Sequence, residues 1–128
     1  MTLELKLLVW STVLALIQML IALLAAIAQV GFLRLVGNRE NLPAFDGWAG
    51  RAQRAHRNML ESLTIFATLV LVAHVAGRSD AVTAFGAQLF FFGRLAYAPV
   101  YVIGIPWLRT GVWGVSFAGM LQILSQIL

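Results

Sequence analysis

Apolar residues run almost unbroken from Leu5 to Val36, with only Gln18, Gln29 and Arg34 as strongly polar interruptions after Lys6. About 20 apolar residues cross a bilayer, so the pattern predicts a first transmembrane helix over 5–36. Ala26-Ile27-Ala28 resembles a small-residue cleavage site, yet the apolar run is about twice the usual core of a signal peptide. A retained helix is therefore expected. Residues 37–47 are polar and rich in turn formers and read as a first loop. A second helix, 48–76, starts polar and becomes apolar after Glu61. Gly77-Arg78-Ser79-Asp80 reads as a tight turn, with Ser79 or Asp80 capping a third helix over 81–103. Gly104-Ile105-Pro106 ends that helix, and a fourth follows over 107–128. The pattern predicts an all-α integral membrane protein, a single four-transmembrane-helix bundle occupying residues 1–128.

Composition narrows the function classes. Of the 128 residues 61% are hydrophobic and 11% charged, against about 45–50% and about 25% in soluble domains. So small a globule cannot bury that much apolar surface. A soluble enzyme, a disordered chain and a disulfide scaffold are excluded. The chain has no cysteine, so any thiol chemistry must arrive with a substrate. Its two histidines, His56 and His74, lie on different levels of one helix and offer no metal-ligand set.

The net charge is +4. In a soluble chain such an excess would suggest nucleic acid; here most basic residues flank or enter apolar segments, so no nucleic-acid partner is expected. Arg34, Arg39, Arg51, Arg54, Arg57 and Arg109 lie on the side of loops one and three, against Lys6 and Arg78 on the side of the termini. The positive-inside rule then places loops one and three in the cytoplasm and both termini opposite. Trp48, Trp107 and Trp113 towards one face and Trp10 towards the other suit interfacial anchors.

Candidate chemistry lies where polar side chains enter the spans. Arg54, Arg57, Asn58 and Glu61 are spaced i, i+3, i+4 and i+7, which puts two guanidiniums, an amide and a carboxylate on one helix face. Arg51, alone at the helix start, reads as a headgroup-facing residue, and His56 points away from the stripe. The third helix carries Arg94, Tyr97 and Tyr101 at i, i+3 and i+7. Arg94 lies roughly 14 Å before the Gly104 break, near mid-bilayer, where an isolated charge is costly. Pairing with Glu61, of the same or a neighbouring subunit, is expected. Arg109-Thr110 opens the fourth helix, whose N-terminus already favours an anion such as a carboxylate, phosphate or thiolate.

Arg54-Ala55-His56-Arg57-Asn58 with Glu61, followed by Arg94, Tyr97, Tyr101 and Arg109, resembles the MAPEG family, the membrane-associated proteins in eicosanoid and glutathione metabolism, in a short bacterial-type form. The resemblance spans essentially the whole chain. It implies a homotrimer of four-helix subunits, embedded among membrane lipids, that binds glutathione as co-substrate, without a metal, in clefts between subunits. The implied activity is that of a glutathione transferase or glutathione-dependent peroxidase acting on a lipophilic small molecule. By motif position, Arg54, Arg57, Asn58, Glu61, Arg94, Tyr97 and Tyr101 would hold glutathione, and Arg109 with Thr110 would stabilise its thiolate. Glutathione's carboxylates suit the arginines and its ammonium suits Glu61.

Three positions depart from the family pattern. Met59 stands where an acid often follows the Asn, Gly31 follows Gln29-Val30 where a basic residue is expected, and Trp113 replaces an aromatic hydroxyl. They favour a second reading, a non-catalytic trimer holding an anionic lipid headgroup in the same cleft. The expected ion pair is testable by a double-mutant cycle. Arg94→Leu made in a Glu61→Leu background should cost less stability, measured by unfolding in detergent, than either single change; additive losses would refute the pair.

Overall fold

The computed structural model describes residues 1–37, 42 and 44–128 of the chain. Arg39, counted above on the side of loops one and three, lies outside the described residues. Five helices follow in order: α1 Leu3–Val30, α2 Phe32–Val36, α3 Gly47–Val75, α4 Ala81–Ile103 and α5 Pro106–Ile127. Among the described residues there is no strand. α1 and α3 are long and apolar enough to cross a membrane.

The continuous first helix expected over 5–36 is corrected by a break at Gly31. This residue takes φ +90, a conformation open to glycine at little cost, and its N–H donates back to the Ile27 carbonyl. α1 therefore stops at Val30, and the five residues of α2 form a separate turn of helix. The other three helices start and end within a residue of the sequence expectation.

Local chemistry explains the remaining boundaries. Thr2 caps α1 by accepting the Leu5 N–H at 3.3 Å. Asp80, not Ser79, caps α4: its carboxylate accepts the Thr83 N–H at 2.9 Å while the Thr83 hydroxyl meets the Asp80 N–H at 2.8 Å. Gly77, at φ +69, closes α3 as Arg78 donates to the Ala73 carbonyl at 2.8 Å. Pro106 occupies the first turn of α5, where its missing N–H costs nothing. Gln29 ties the end of α1 to the start of α3, with its Nε2 2.7 Å from an Asp46 carboxylate oxygen and its Oε1 accepting the Asp46 N–H at 3.2 Å.

The core gathers one face of each long helix: Leu7, Leu14 and Ala15 from α1, Met59, Phe66 and Val70 from α3, Ala87 and Phe90 from α4, Met120 and Ile123 from α5. Phe66 and Phe90 stack with ring centroids 3.9 Å apart. The outer surface stays apolar: on α1, Leu16, Leu20 and Leu24 are 53%, 57% and 63% exposed. Water would penalise such a face, whereas lipid or a neighbouring apolar helix would not.

α4 and α5 make the most extensive helix pair. Small residues allow this, since a Cβ on Gly86 would stand 2.6 Å from the Gly119 carbonyl oxygen and one on Gly93 would stand 3.0 Å from the Ser116 nitrogen. Gly119→Ala should therefore destabilise the fold by about 1–3 kcal/mol through overpacking. Gly114→Ala, where a Cβ meets open space, should be neutral or slightly stabilising. Unfolding in a graded denaturing detergent compares the two, and equal behaviour would refute the close approach as a constraint.

Candidate functional site

The N-terminal half of α3, the last turns of α4 and the first turns of α5 converge on a recess of about 210 Å³ lined by Asn58, Tyr97, Arg109, Thr110 and Trp113. Helix periodicity puts Asn58 there, one turn beyond Arg54, and the short α4–α5 connection returns Arg109 beside Tyr97 and Tyr101.

The aromatic hydroxyls and guanidiniums form a ladder. The Arg54 Nε donates to the Tyr101 hydroxyl at 3.1 Å. The Arg109 guanidinium lies 4.8 Å from the centre of the Tyr101 ring, and Arg94 lies 4.1 Å from the centre of the Tyr97 ring. The two tyrosine rings are 5.5 Å apart, so one pair of tyrosines gathers Arg94 and Arg109 on its ring faces and Arg54 on the Tyr101 hydroxyl. The Thr110 hydroxyl donates to the Pro106 carbonyl at 3.1 Å, which leaves its oxygen lone pairs as acceptors.

Arg94 is the largest fully buried side chain of the described residues, at 1% exposure. Among the described residues none of its three guanidinium nitrogens has a hydrogen-bond partner, and the buried Oδ1 of Asn58 also lacks one. The expected Arg94–Glu61 pair is not made within the chain: Glu61 is exposed, and Arg94 is buried without a hydrogen bond among the described residues. The reason is geometric. Glu61 continues the outward-facing stripe of Arg54 and Arg57, both also exposed, whereas Arg94 turns inwards under Tyr97. The chain thus brings together Arg54, Asn58, Arg94, Tyr97, Tyr101, Arg109 and Thr110, and presents Arg57 and Glu61 outwards.

A family profile, that of the MAPEG family, matches residues 7–128. The chain belongs to the MAPEG family. This family is membrane-associated and includes glutathione transferases and peroxidases among other members. No curated protein matches the sequence.

Within a MAPEG chain the three departures acquire physical explanations. Met59 is fully buried in the helix core with Leu14, Phe66 and Phe90, so a carboxylate there would be desolvated. Gly31 serves the α1 break, a position that favours glycine. Trp113 lines the recess and stacks on Phe117 with centroids 5.2 Å apart, supplying an apolar wall in place of a hydroxyl. His56 faces elsewhere, into a separate space of about 320 Å³ between α1 and α3.

Sequence reasoning missed one participant near the site. Arg51 does not face headgroups alone: its Nε donates to the Val102 carbonyl at 2.7 Å. The signal was available in the glycine of the α4–α5 connection, which leaves helix-end carbonyls for an outside donor.

Tyr101 separates the contributions to the ladder. Tyr101→Phe should lose only the Arg54 hydrogen bond, about 1 kcal/mol or less because it is exposed. Tyr101→Leu, which also removes the face beneath Arg109, should lose about 0.5–1 kcal/mol more. Detergent unfolding of both variants checks the order, and a Phe variant as unstable as the Leu variant would contradict it.

Proposed function

We propose that this chain is the four-span subunit of a homotrimeric membrane enzyme that uses glutathione as a co-substrate against lipophilic electrophiles, as a transferase or peroxidase. The observation that carries the reading is the fully buried Arg94 guanidinium, without a hydrogen-bond partner, stacked on a tyrosine that lines a recess with Arg109. A buried cation without a partner is strongly unfavourable, so the arrangement calls for an anion. Family membership makes glutathione, with two carboxylates and a thiol, the anion to test first.

In this reading α4 and α5, at 23 and 22 residues, join α1 and α3 in crossing the bilayer. The apolar outer faces meet lipid and neighbouring subunits, and loops one and three face the cytoplasm. The outward Arg57 and Glu61 then lie at the subunit boundary, where a ligand between protomers reaches them together with the recess. Arg54 and Arg57 bind carboxylates, Arg94 adds positive charge from beneath Tyr97, Glu61 binds the ammonium, and Asn58, Tyr97 and Tyr101 orient the backbone of the tripeptide.

Glutathione supplies the nucleophilic sulfur. Arg109, in the first turn of α5, places positive charge beside it, and the helix N-terminus adds a partial positive charge of the same sign. Both favour thiolate over thiol, whose reference pKa is about 8.5. Thr110 donates to the sulfur only when its hydroxyl turns from the Pro106 carbonyl, which it meets at 3.1 Å. Trp113 and the surrounding lipid-facing residues offer an apolar wall for the electrophile. In the transferase reaction the sulfur bonds to the electrophilic carbon and the leaving group departs with the bonding pair. In the peroxidase reaction two glutathiones supply the two electrons that reduce a hydroperoxide to an alcohol and water.

Calorimetry on the purified protein should show saturable glutathione binding, and an activated aryl halide should be conjugated. Arg109→Ala should lower kcat by about 100-fold while changing the glutathione affinity less than tenfold, because Arg109 faces the sulfur while Arg54, Arg57 and Glu61 hold the charged ends of the tripeptide. No heat of binding together with no conjugation would overturn the proposal. Co-purified phospholipid that glutathione does not displace would favour the headgroup-binding reading instead.

A further inference from the structure

We infer that Arg51 is a positioning residue that sets the α4–α5 elbow and, through it, the placement of Arg109; its catalytic meaning rests on the glutathione reading above. The elbow consists of Gly104 and Ile105, between the last turn of α4 and Pro106. Gly104 takes φ +92, and its N–H and that of Ile105 both donate to the Val100 carbonyl, at 3.0 and 3.3 Å. This pattern leaves the Val102 carbonyl without an intrahelical donor.

Arg51 fills that role from another helix. Its Nε donates to the Val102 carbonyl at 2.7 Å, and the contact is partly buried. Its side chain lies along Gly104 so closely that a Cβ there would stand 3.5 Å from both Cδ and Nε of Arg51. A cation at this point also matches the negative end of the α4 dipole. One turn further along α3, Arg54 holds the Tyr101 hydroxyl. Two arginines on successive turns thus grip two neighbouring residues of the last turn of α4.

The far side of the elbow is fixed as well. Pro106 restricts its own φ, and the Arg109 N–H closes the first turn of α5 by donating to the Ile105 carbonyl at 3.0 Å. Arg109 is therefore connected to the Arg51 clamp through a short, rigid path. Arg51 itself does not line the recess. Releasing the clamp should let the elbow shift, and Arg109 with it, while the groups that line the recess from α3 stay in place.

The test uses the full-length protein in detergent with Arg51→Met and Arg51→Lys. Hydrogen exchange is followed at residues 103–110, and glutathione conjugation of an aryl halide is measured in parallel. In Arg51→Met, exchange should accelerate at Gly104, Ile105 and Arg109 but not in α1, and kcat should fall about tenfold or more with KM for glutathione unchanged. Arg51→Lys keeps a donor for Val102 and should recover most of both properties. Unchanged exchange in Arg51→Met, acceleration spread equally over α1, a raised KM with unaltered kcat, or no recovery by lysine would each overturn the inference. If the wild-type protein conjugates no glutathione, the enzymatic reading falls, and the exchange data alone still decide whether Arg51 holds the elbow.

Discussion

A guanidinium enclosed by its own protein, with only an aromatic face against it, is the constraint on which the rest of the arrangement turns. Arg94 is buried at 1% exposure and stacked on Tyr97, and its nitrogens have no hydrogen-bond partner among the described residues. In an apolar interior such a charge is among the least favourable features a fold can carry. The Tyr97 ring is the one aromatic face against it among the described residues, and the buried Asn58 Oδ1 is a further polar atom left unmatched among them. The cost explains why Tyr97, Tyr101, Arg54 and Arg109 form one connected ladder: each supports a cation or an aromatic ring that supports a cation.

The bundle exists to hold this group of residues at fixed relative heights. Phe66 on Phe90 locks α3 against α4, and the glycine contacts lock α4 against α5. Chain ends and connections are then fixed by small, local devices. The Gln29–Asp46 pair closes the first connection, the Asp80–Thr83 capping box starts α4, and Gly104 reverses the chain into α5. Much of the apolar surface is left outside the core, on α1 above all. The energetic account therefore places stability in helix packing and function in the few charges that enter the packed region.

Much of this was legible in the sequence, for reasons that differ by element. The long helices announce themselves because apolar runs of that length have few other uses. Helical spacing set the faces on which Asn58 and Tyr97 lie, and their grouping with Arg109 came from the resemblance to the MAPEG family. The break at Gly31 was hidden because a lone glycine in an apolar run is compatible with a continuous helix, and its φ is set by tertiary context. The Arg94–Glu61 pair failed within the chain because spacing gives the depth of a charge along a helix but not the rotation of one helix against another. Met59 shows the same limit: it neighbours Asn58 in sequence, yet one step of about 100° carries it from the site into the core. Arg51 was misread because a long cation at a helix start is equally suited to headgroups and to another helix's carbonyls.

The central claim is that Arg109 and the α5 N-terminus complete an anion site that charges a thiol. The most direct measurement is the ultraviolet thiolate absorbance of glutathione titrated with the detergent-solubilised protein at several pH values. The account predicts stoichiometric thiolate formation at pH values below the ordinary thiol pKa of about 8.5, and its loss in Arg109→Ala. Glutathione that stays protonated in the presence of saturating protein, with the same titration as in buffer, would contradict it.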